Sequence, residues 1–177
     1  MKLFLFLVGL CLAIATCNAW FMAPREKVPA AAEIDEQCVA LARAGSCDMY
    51  DCMAQRHQCD ILLKAAKPMC VTMEQKRGQF NHQGKLWLNA TRPCLQEALI
   101  LEYKKTEHNC DDLKDMIKEK SSHCAINVQP SVCDIFEANT GVLVSSQNSE
   151  LGDSSAVMRK CGWTVFTSYL RYMRESG

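Results

Sequence analysis

Apolar residues recur at helical spacing along most of this 177-residue chain. Ile34, Cys38 and Leu41 repeat every three or four positions, and Gly45 follows where a helix C-terminal cap is expected. The same periodicity predicts helical segments over residues 33–45, 60–67, 71–77, 83–90, 95–108, 110–124, 130–137 and 155–174. Residues 142–144 are rich in β-branched side chains, yet the pattern favours the extension of a helix or a loop there. The sequence therefore predicts an all-α fold.

Three prolines set expected limits for these segments. Pro68 should break or kink any helix that continues through it, because its ring removes a hydrogen bond and clashes with the preceding turn. Pro93 is predicted to end the short helix before it, and Pro130 to occupy the first turn of a later one. The polar stretch over residues 145–155 is predicted to be a loop.

The first 19 residues have the form of a secretory signal peptide. Leu3 to Ala15 is an apolar run of about thirteen residues, too short to span a membrane and suited to a signal that is cleaved after Ala19. Residues 20–32 carry two prolines and no periodic pattern, which predicts a flexible leader. Residues 33–174 are expected to form a single disulfide-rich helical domain. No later segment is apolar enough for a membrane anchor, so we expect a secreted, extracellular protein.

Removal of the signal leaves ten of the twelve cysteines. They are Cys38, Cys47, Cys52, Cys59, Cys70, Cys94, Cys110, Cys124, Cys133 and Cys161. An even number in an oxidising compartment indicates a framework of five disulfides, and hence a disulfide-stapled helical bundle. The charge is balanced, with 20 basic and 20 acidic residues, which gives no indication of a nucleic acid or an anionic membrane as partner.

Helix geometry excludes two of the possible pairings. Cys110 and Cys124 lie fourteen residues apart, about 21 Å along a helix axis, whereas a disulfide requires Cα atoms within about 6.8 Å. Cys94 and Cys110 lie sixteen residues apart across the preceding predicted helix and are excluded by the same reasoning. Each of these cysteines must reach another element, and the remaining pairings stay open.

The cysteine spacing resembles that of the stanniocalcins, which are secreted glycoprotein hormones of mineral balance. The numbers of residues between successive mature cysteines are 8, 4, 6, 10, 23, 15, 13, 8 and 27, and the 8, 4, 23, 15 and 13 gaps look the same as the family's. Gln83-Gly84-Lys85 also precedes Cys94 where the family places this tripeptide. The resemblance covers about residues 38–133.

The resemblance implies a complete disulfide pairing. The implied pairs are Cys38–Cys52, Cys47–Cys70, Cys59–Cys110, Cys94–Cys124 and Cys133–Cys161, which respects both exclusions drawn from helix length. It also implies a role in calcium and phosphate homeostasis, and in some members inhibition of a secreted metalloprotease. The family's eleventh, dimer-forming cysteine has no counterpart before Gly177, so we expect a short, divergent member without a disulfide-linked dimer.

Few residues offer chemistry of their own. Asn89 begins the sequon Asn-Ala-Thr and is predicted to carry a glycan, whereas Trp87 beside it is expected in the core. The chain has four histidines, His57, His82, His108 and His123. Zinc would need thiolates or clustered imidazoles, and these cysteines are expected to be oxidised, so we predict no metal and no cofactor. No nucleophile elbow or zinc-protease motif is present, and we expect no enzyme.

Binding is therefore the expected activity, with an extracellular receptor or a secreted protein as the partner. Trp163, Phe166, Tyr169 and Leu170 lie close together on the last predicted helix and are predicted to supply a contact for a non-covalent homodimer. Two alternatives stay open. A secreted helical lipid-binding protein would also explain the helices and the methionines, and an extracellular effector or protease inhibitor would also explain a rigid surface.

Overall fold

The computed structural model describes residues 26–146 and 154–176. The predicted signal peptide and the first residues of the predicted leader lie outside these ranges, as does most of the polar loop predicted over residues 145–155. The described chain contains the helices α1 (Glu36–Arg43), α2 (Met49–His57), α3 (Lys67–Gln75), α4 (His82–Tyr103), α5 (Cys110–Asn127), α6 (Val132–Val144), α7 (Ser154–Cys161) and α8 (Trp163–Ser176).

The all-α prediction is confirmed. A π-helical turn (Leu62–Ala66) runs into α3, a 3-10 turn (Arg77–Gln79) follows it, and the only strands in the described ranges, β1 (Val28–Pro29) and β2 (Glu107–His108), have two residues each. In the same ranges, no helix combines the length and the hydropathy that a membrane span needs.

Polar side chains explain where two of the longer helices begin. The side chain of Asn109 accepts a hydrogen bond from the N–H of Asp111 at 2.9 Å, which caps α5. At the start of α6, the carboxylate of Asp134 accepts from both the backbone N–H and the hydroxyl of Ser131 at 2.8 Å. Because Ser131 is the cap, Pro130 lies outside α6, and the prediction that Pro130 occupies the first helical turn is wrong.

The expectation that Pro93 ends a helix is also wrong, because α4 continues through it. A proline inside a helix costs about 3 kcal/mol, since one hydrogen bond is lost and the ring meets the preceding turn. The carbonyl of Asn89, which loses its helical partner, belongs to an exposed residue. Trp87 and Leu99, on either side of the proline, are 5% and 1% exposed, so burial at both ends of α4 outweighs this cost.

Three other differences have simple physical reasons. The hydrophobic pattern does not predict α2, because its buried face includes Arg56 and His57. Pro68 lies in the first turn of α3, and the helical backbone runs from the π-helical turn through this proline, so the chain changes from π-helical to α-helical geometry there and does not break. The last predicted helix is divided into α7 and α8 at Gly162, whose φ of 68° is readily adopted by glycine alone.

Two hydrophobic cores form inside the helical bundle. The first core is formed by α1, α2, the π-helical turn and the facing sides of α4 and α5, and its fully buried side chains include Met49, Met53, Leu62, Leu99 and Ile117. The second core is formed by the start of α4 together with α6 and α8, and it contains Phe80, Trp87, Ile135, Phe136 and Val165. The helix α4 is long enough to contribute to both cores.

The last part of the predicted leader is attached to the first core. β1 pairs antiparallel with β2, with Val28 opposite His108. The N–H of Ala30 donates to the loop ahead of β2 at 2.7 Å, and the N–H of Ala31 donates to the carbonyl of Arg56 at 2.7 Å. The chain ahead of α1 is therefore held by backbone hydrogen bonds on the surface of the domain.

Candidate functional site

Five disulfides connect the helices. They join Cys38 to Cys52, Cys47 to Cys70, Cys59 to Cys110, Cys94 to Cys124 and Cys133 to Cys161, with Cα–Cα distances of 5.9, 5.8, 5.5, 5.7 and 5.1 Å. These are the same pairs that the resemblance to the stanniocalcins implies. Every cysteine in the described ranges is bonded, so none offers a thiol to a substrate or a metal ion.

The Gln83-Gly84-Lys85 segment is explained by packing. A Cβ on Gly84 would lie 2.7 Å from Cδ1 of Phe80 and 2.8 Å from Oδ1 of Asn139, closer than real side chains approach. Asn139 is 3% exposed and joins the start of α4 to α6, because its Oδ1 accepts from the N–H of Asn81 at 3.0 Å and its Nδ2 donates to the Asn81 side chain at 3.1 Å. The glycine therefore permits a close contact between two helices, and nothing in its surroundings indicates a ligand.

The predicted glycosylation site is accessible. Asn89 is exposed on α4, and its side-chain oxygen accepts a hydrogen bond from Arg77. The hydroxyl of Thr91, the third residue of the sequon, is buried and has no hydrogen-bond partner. Trp87 is buried in the second core, as expected, and its indole N–H donates to the carbonyl of Ala125 at 3.1 Å.

A buried polar cluster lies where α2 meets the end of α4. Arg56 is 4% exposed, and its guanidinium donates to the backbone carbonyls of Tyr103 at 2.6 Å and Lys105 at 2.9 Å and also to that of Ala32. The same guanidinium lies 5.4 Å from the centre of the Tyr103 ring. Carbonyl oxygens thus replace water around this charge and fix the chain ahead of α1 to α2 and α4.

Beside this cluster are two of the four histidines. His57 is fully buried, neither of its ring nitrogens has a hydrogen-bond partner, and its ring centre lies 4.8 Å from that of His108. Burial is the main cause that lowers the pKa of His57 to about 4, and the nearby His108 and Arg56 contribute to the same shift. His57 is therefore neutral at the pH of extracellular fluid.

One group of described residues near His57 has the spacing of a metal site but lacks the chemistry that a metal ion needs. The potential ligand atoms of Cys59, His108 and Cys110 lie within 4.8 Å of one another. Two of these three atoms are the sulfurs of one disulfide, which do not have the charge of thiolate ligands. Asp48 and Asp51 are a second group that could attract a cation, but both carboxylates already pair with the ammonium group of Lys67.

The predicted dimer contact lies on α8 and is mostly exposed. Trp163, Phe166, Leu170 and Met173, which we call the α8 stripe, recur at helical spacing and are 78%, 37%, 49% and 50% exposed. The rings of Trp163 and Phe166 meet edge to face, with their centres 5.5 Å apart. Tyr169, which belongs to the predicted contact, is only partly exposed and packs against the second core. The structure thus places three of the four predicted residues on one apolar surface.

A cavity of about 190 Å³ lies between the two cores. Its walls come from α2, α3, α4, α5, α6 and α7, and the lining is mostly apolar but includes the polar side chains of Ser46, Arg92 and Gln96. The cavity and the Arg56 cluster are not indicated by the sequence, because each depends on how distant helices pack. The charge of Arg56 gives no local sign that this residue is buried.

A model of the stanniocalcin family matches residues 22–149. Stanniocalcin-2 of Mus musculus is 24% identical over 109 residues, which cover 62% of this chain and 35% of that protein. Stanniocalcin-2 of Homo sapiens is also 24% identical over 109 residues, which cover 62% of this chain and 34% of the human protein. The match thus spans about a third of the length of these curated relatives. No solved structure matches the chain.

The fold and the bridges define the class of protein, a helical bundle whose described cysteines are all used as structural cross-links. The family match covers most of the chain, including nine of the ten bonded cysteines. The chain belongs to the stanniocalcin family, which is a family of hormones.

Proposed function

We propose that this protein is a secreted stanniocalcin-like signalling glycoprotein that acts by binding an extracellular receptor or another secreted protein. The observation that carries the proposal is the set of five disulfides in a chain of this family. Cross-links of this kind persist in oxidising compartments and are rare in the cytosol. The described cysteines are bonded and offer no nucleophile, and the proposed action is binding through the surface of the protein.

Regulation of calcium and phosphate is the physiological role that family membership supports. The described residues favour an indirect action on these ions, because Lys67 already pairs with both carboxylates of the acidic residues Asp48 and Asp51. A calcium ion would have to displace this ammonium group to bind there. The role therefore depends on a protein partner that controls ion transport.

Expression in cultured animal cells from the full sequence tests the proposal. We expect the protein in the medium, with one glycan that Asn89→Gln removes and with no free thiols in the purified material. Labelled protein should bind saturably to epithelial cells and change their uptake of calcium or phosphate, and reduced and alkylated protein should do neither. Retention in the cells, or secretion without saturable binding, would contradict the proposal.

We infer in addition that the α8 stripe is the contact for a second copy of this chain. The four side chains lie on one face of a single helix, so two copies related by a two-fold axis would bury the same residues on each side. Burial of Trp163, which is 78% exposed in the single chain, would contribute the largest apolar area. Sedimentation of the purified protein as a dimer at micromolar concentration is the expected result, and a monomer at that concentration would refute the inference.

A further inference from the structure

The glycosylation sequon of this protein lies inside a long helix, whereas such sequons are expected in surface loops. Residues two positions apart on an α-helix are rotated by about 200° around its axis, so their side chains do not face each other. The side chain of Asn89 is accordingly exposed, while the Oγ1 atom of Thr91 is buried and has no hydrogen-bond partner. The two groups that define the sequon thus lie on different sides of α4.

A glycosyltransferase that recognises this sequon has to contact both groups at once. The motif requires an asparagine and a hydroxyl two residues later, so the amide is the acceptor and the hydroxyl is part of what the enzyme recognises. In the transfer, Nδ2 of Asn89 bonds to the anomeric carbon of a lipid-linked oligosaccharide. The bond from this carbon to the lipid diphosphate breaks, and the amide loses one proton. An enzyme on the exposed side of α4 cannot also reach the buried hydroxyl of Thr91.

Packing on both sides of the sequon keeps this turn helical. Trp87 and Leu88, which precede it, are 5% and 6% exposed and belong to the second core. Thr91 precedes Cys94 by three residues, or one helical turn, and Cys94 is bonded to Cys124 of α5 with a Cα–Cα distance of 5.7 Å. Unwinding of the sequon would therefore disturb the second core on one side and the cross-link to α5 on the other.

The folded protein can nevertheless carry the glycan once it is attached. The side-chain oxygen of Asn89 accepts a hydrogen bond from Arg77, and the nitrogen that would carry the sugar takes no part in this bond. Because Asn89 is exposed, a bulky oligosaccharide on it would extend into solvent. The product of the transfer is thus compatible with the fold, whereas the folded chain does not have the form of a substrate.

We propose that Asn89 is modified only in the unfolded chain, before α4 forms and the Cys94–Cys124 bridge closes. The order of glycan transfer and folding then decides whether a molecule carries the glycan, and a molecule that folds first is excluded from the reaction. The inference rests on the glycosylation of Asn89 in the proposed function and adds the regulation of that site. It does not depend on receptor binding or on the α8 stripe.

Transfer to the purified protein in vitro tests this order. Unglycosylated protein with intact disulfides is compared with the same protein after reduction and alkylation, with an oligosaccharyltransferase and a lipid-linked oligosaccharide in both reactions. We expect transfer to the folded chain to be at least about a hundred times slower, because only locally opened molecules can react. A peptide of residues 85–93, added to both reactions, should be modified equally in each and serves as the control for enzyme activity.

Two matched double replacements locate the barrier. Cys94→Ser with Cys124→Ser removes the cross-link beside the sequon, and this folded variant should be modified about ten times faster than the folded native protein. Cys133→Ser with Cys161→Ser opens the bridge between α6 and α7 and should leave the rate unchanged. If the first variant does not fold, the comparison of the folded and the unfolded native chain still decides the question.

The possible results separate this inference from the proposed function. Equal transfer to the folded and the unfolded chain would overturn the inference and leave the proposed glycosylation intact. Modification of the peptide without transfer to either chain would refute the glycosylation itself, and the inference with it. Equal rates in the two double variants would overturn the role of the Cys94–Cys124 bridge. Asn89→Gln should abolish transfer to the unfolded chain, which confirms that the measured signal comes from this sequon.

Discussion

The two cores of this protein are stabilised in different ways. Three disulfides have at least one half in or against the first core, whereas Cys133–Cys161 alone lies against the second. The second core instead buries large aromatic side chains, among them Phe80, Trp87 and Phe136. The first core also encloses the polar groups of Arg56 and His57, whereas the second ends in the exposed apolar stripe of α8.

This difference indicates a division of roles. Cross-links reduce the conformational freedom of the unfolded chain, so they stabilise the first core without further apolar burial. The second core depends on side-chain packing, and its last helix keeps apolar area that a partner could cover. We therefore expect the first core to act as the rigid part of the molecule and the second core to carry the contact surface.

The largest expected effect comes from opening the disulfide that closes the longest loop. The Cys59–Cys110 bridge spans 51 residues, and the double replacement by serine should lower the free energy of unfolding by about 4 kcal/mol, chiefly through the entropy of the unfolded chain. Urea unfolding of the secreted variant measures this loss. A loss below about 1 kcal/mol would show that the first core does not depend on this cross-link.

The same replacement in the second core is the matched control. Cys133–Cys161 spans 28 residues, so loop length alone predicts a loss of about 3.5 kcal/mol. The consequences should differ in extent, because α7 and α8 can separate from the bundle without opening the first core. Hydrogen exchange should therefore accelerate in α6, α7 and α8 only, while loss of the Cys59–Cys110 bridge should accelerate it in both cores.

The next largest expected effect is a loss of stability in acid, which arises from His57 beside the first core. Above about pH 6.5, His57 is neutral in the folded and the unfolded chain and makes no difference to stability. Between pH 6.5 and about 4, the unfolded chain binds a proton that the folded chain does not, so acid lowers the free energy of unfolding by about 3 kcal/mol in total. Below about pH 4 this loss is complete.

Unfolding in urea at pH 7.5 and 4.5 measures the contribution of His57. His57→Phe should remove most of the loss and leave the protein at least as stable at pH 7.5, because neither ring nitrogen has a hydrogen-bond partner. Phe136→Leu, in the second core, should destabilise the protein equally at both pH values. If the acid-dependent loss persists in His57→Phe, another group causes it.

A smaller effect tests the contact between α4 and α6. Alanine in place of a helical glycine usually stabilises a helix by about 1 kcal/mol. At Gly84 the new Cβ would collide with Phe80 and Asn139, so we expect Gly84→Ala to lower the free energy of unfolding by about 1–3 kcal/mol. Gly78→Ala has open space around its Cβ and should stay within about 0.5 kcal/mol of the native protein. Equal melting temperatures for the two variants would contradict the close contact.

These examples show what the sequence could predict. The helical periodicity was sufficient for the fold class, and the family resemblance carried by the cysteine spacing implied the same five pairs that the structure contains. The periodicity is a local signal, whereas helix geometry alone excluded only two pairings and the complete set came from the resemblance. Three exposed residues of the α8 stripe, Trp163, Phe166 and Leu170, could also be identified from the sequence, because several large apolar side chains on one helix exceed what a single core can bury.

The features that the sequence did not predict depend on contacts between distant elements. Pro93 is tolerated because both ends of α4 are buried, which no local rule contains. Arg56 is buried because carbonyls from the end of α4 and from the chain ahead of α1 surround it. The cavity exists because the two cores do not meet completely, and neither Thr91 nor Ser121 differs in sequence context from an exposed hydroxyl.

The smallest expected effect on stability tests the proposed role of the second core most directly. Leu170 and Leu101 are 49% and 70% exposed, on α8 and α4 respectively. Replacement of either by glutamine should change the free energy of unfolding of the single chain by less than about 0.5 kcal/mol, because neither side chain is buried there. Sedimentation should nevertheless separate the two variants, since Leu170→Gln removes apolar area from the α8 stripe and should shift the dimer towards monomer, while Leu101→Gln should not. The same sedimentation behaviour in both variants would mean that copies of the chain meet elsewhere, and the contact surface would then have no special connection with the less cross-linked core.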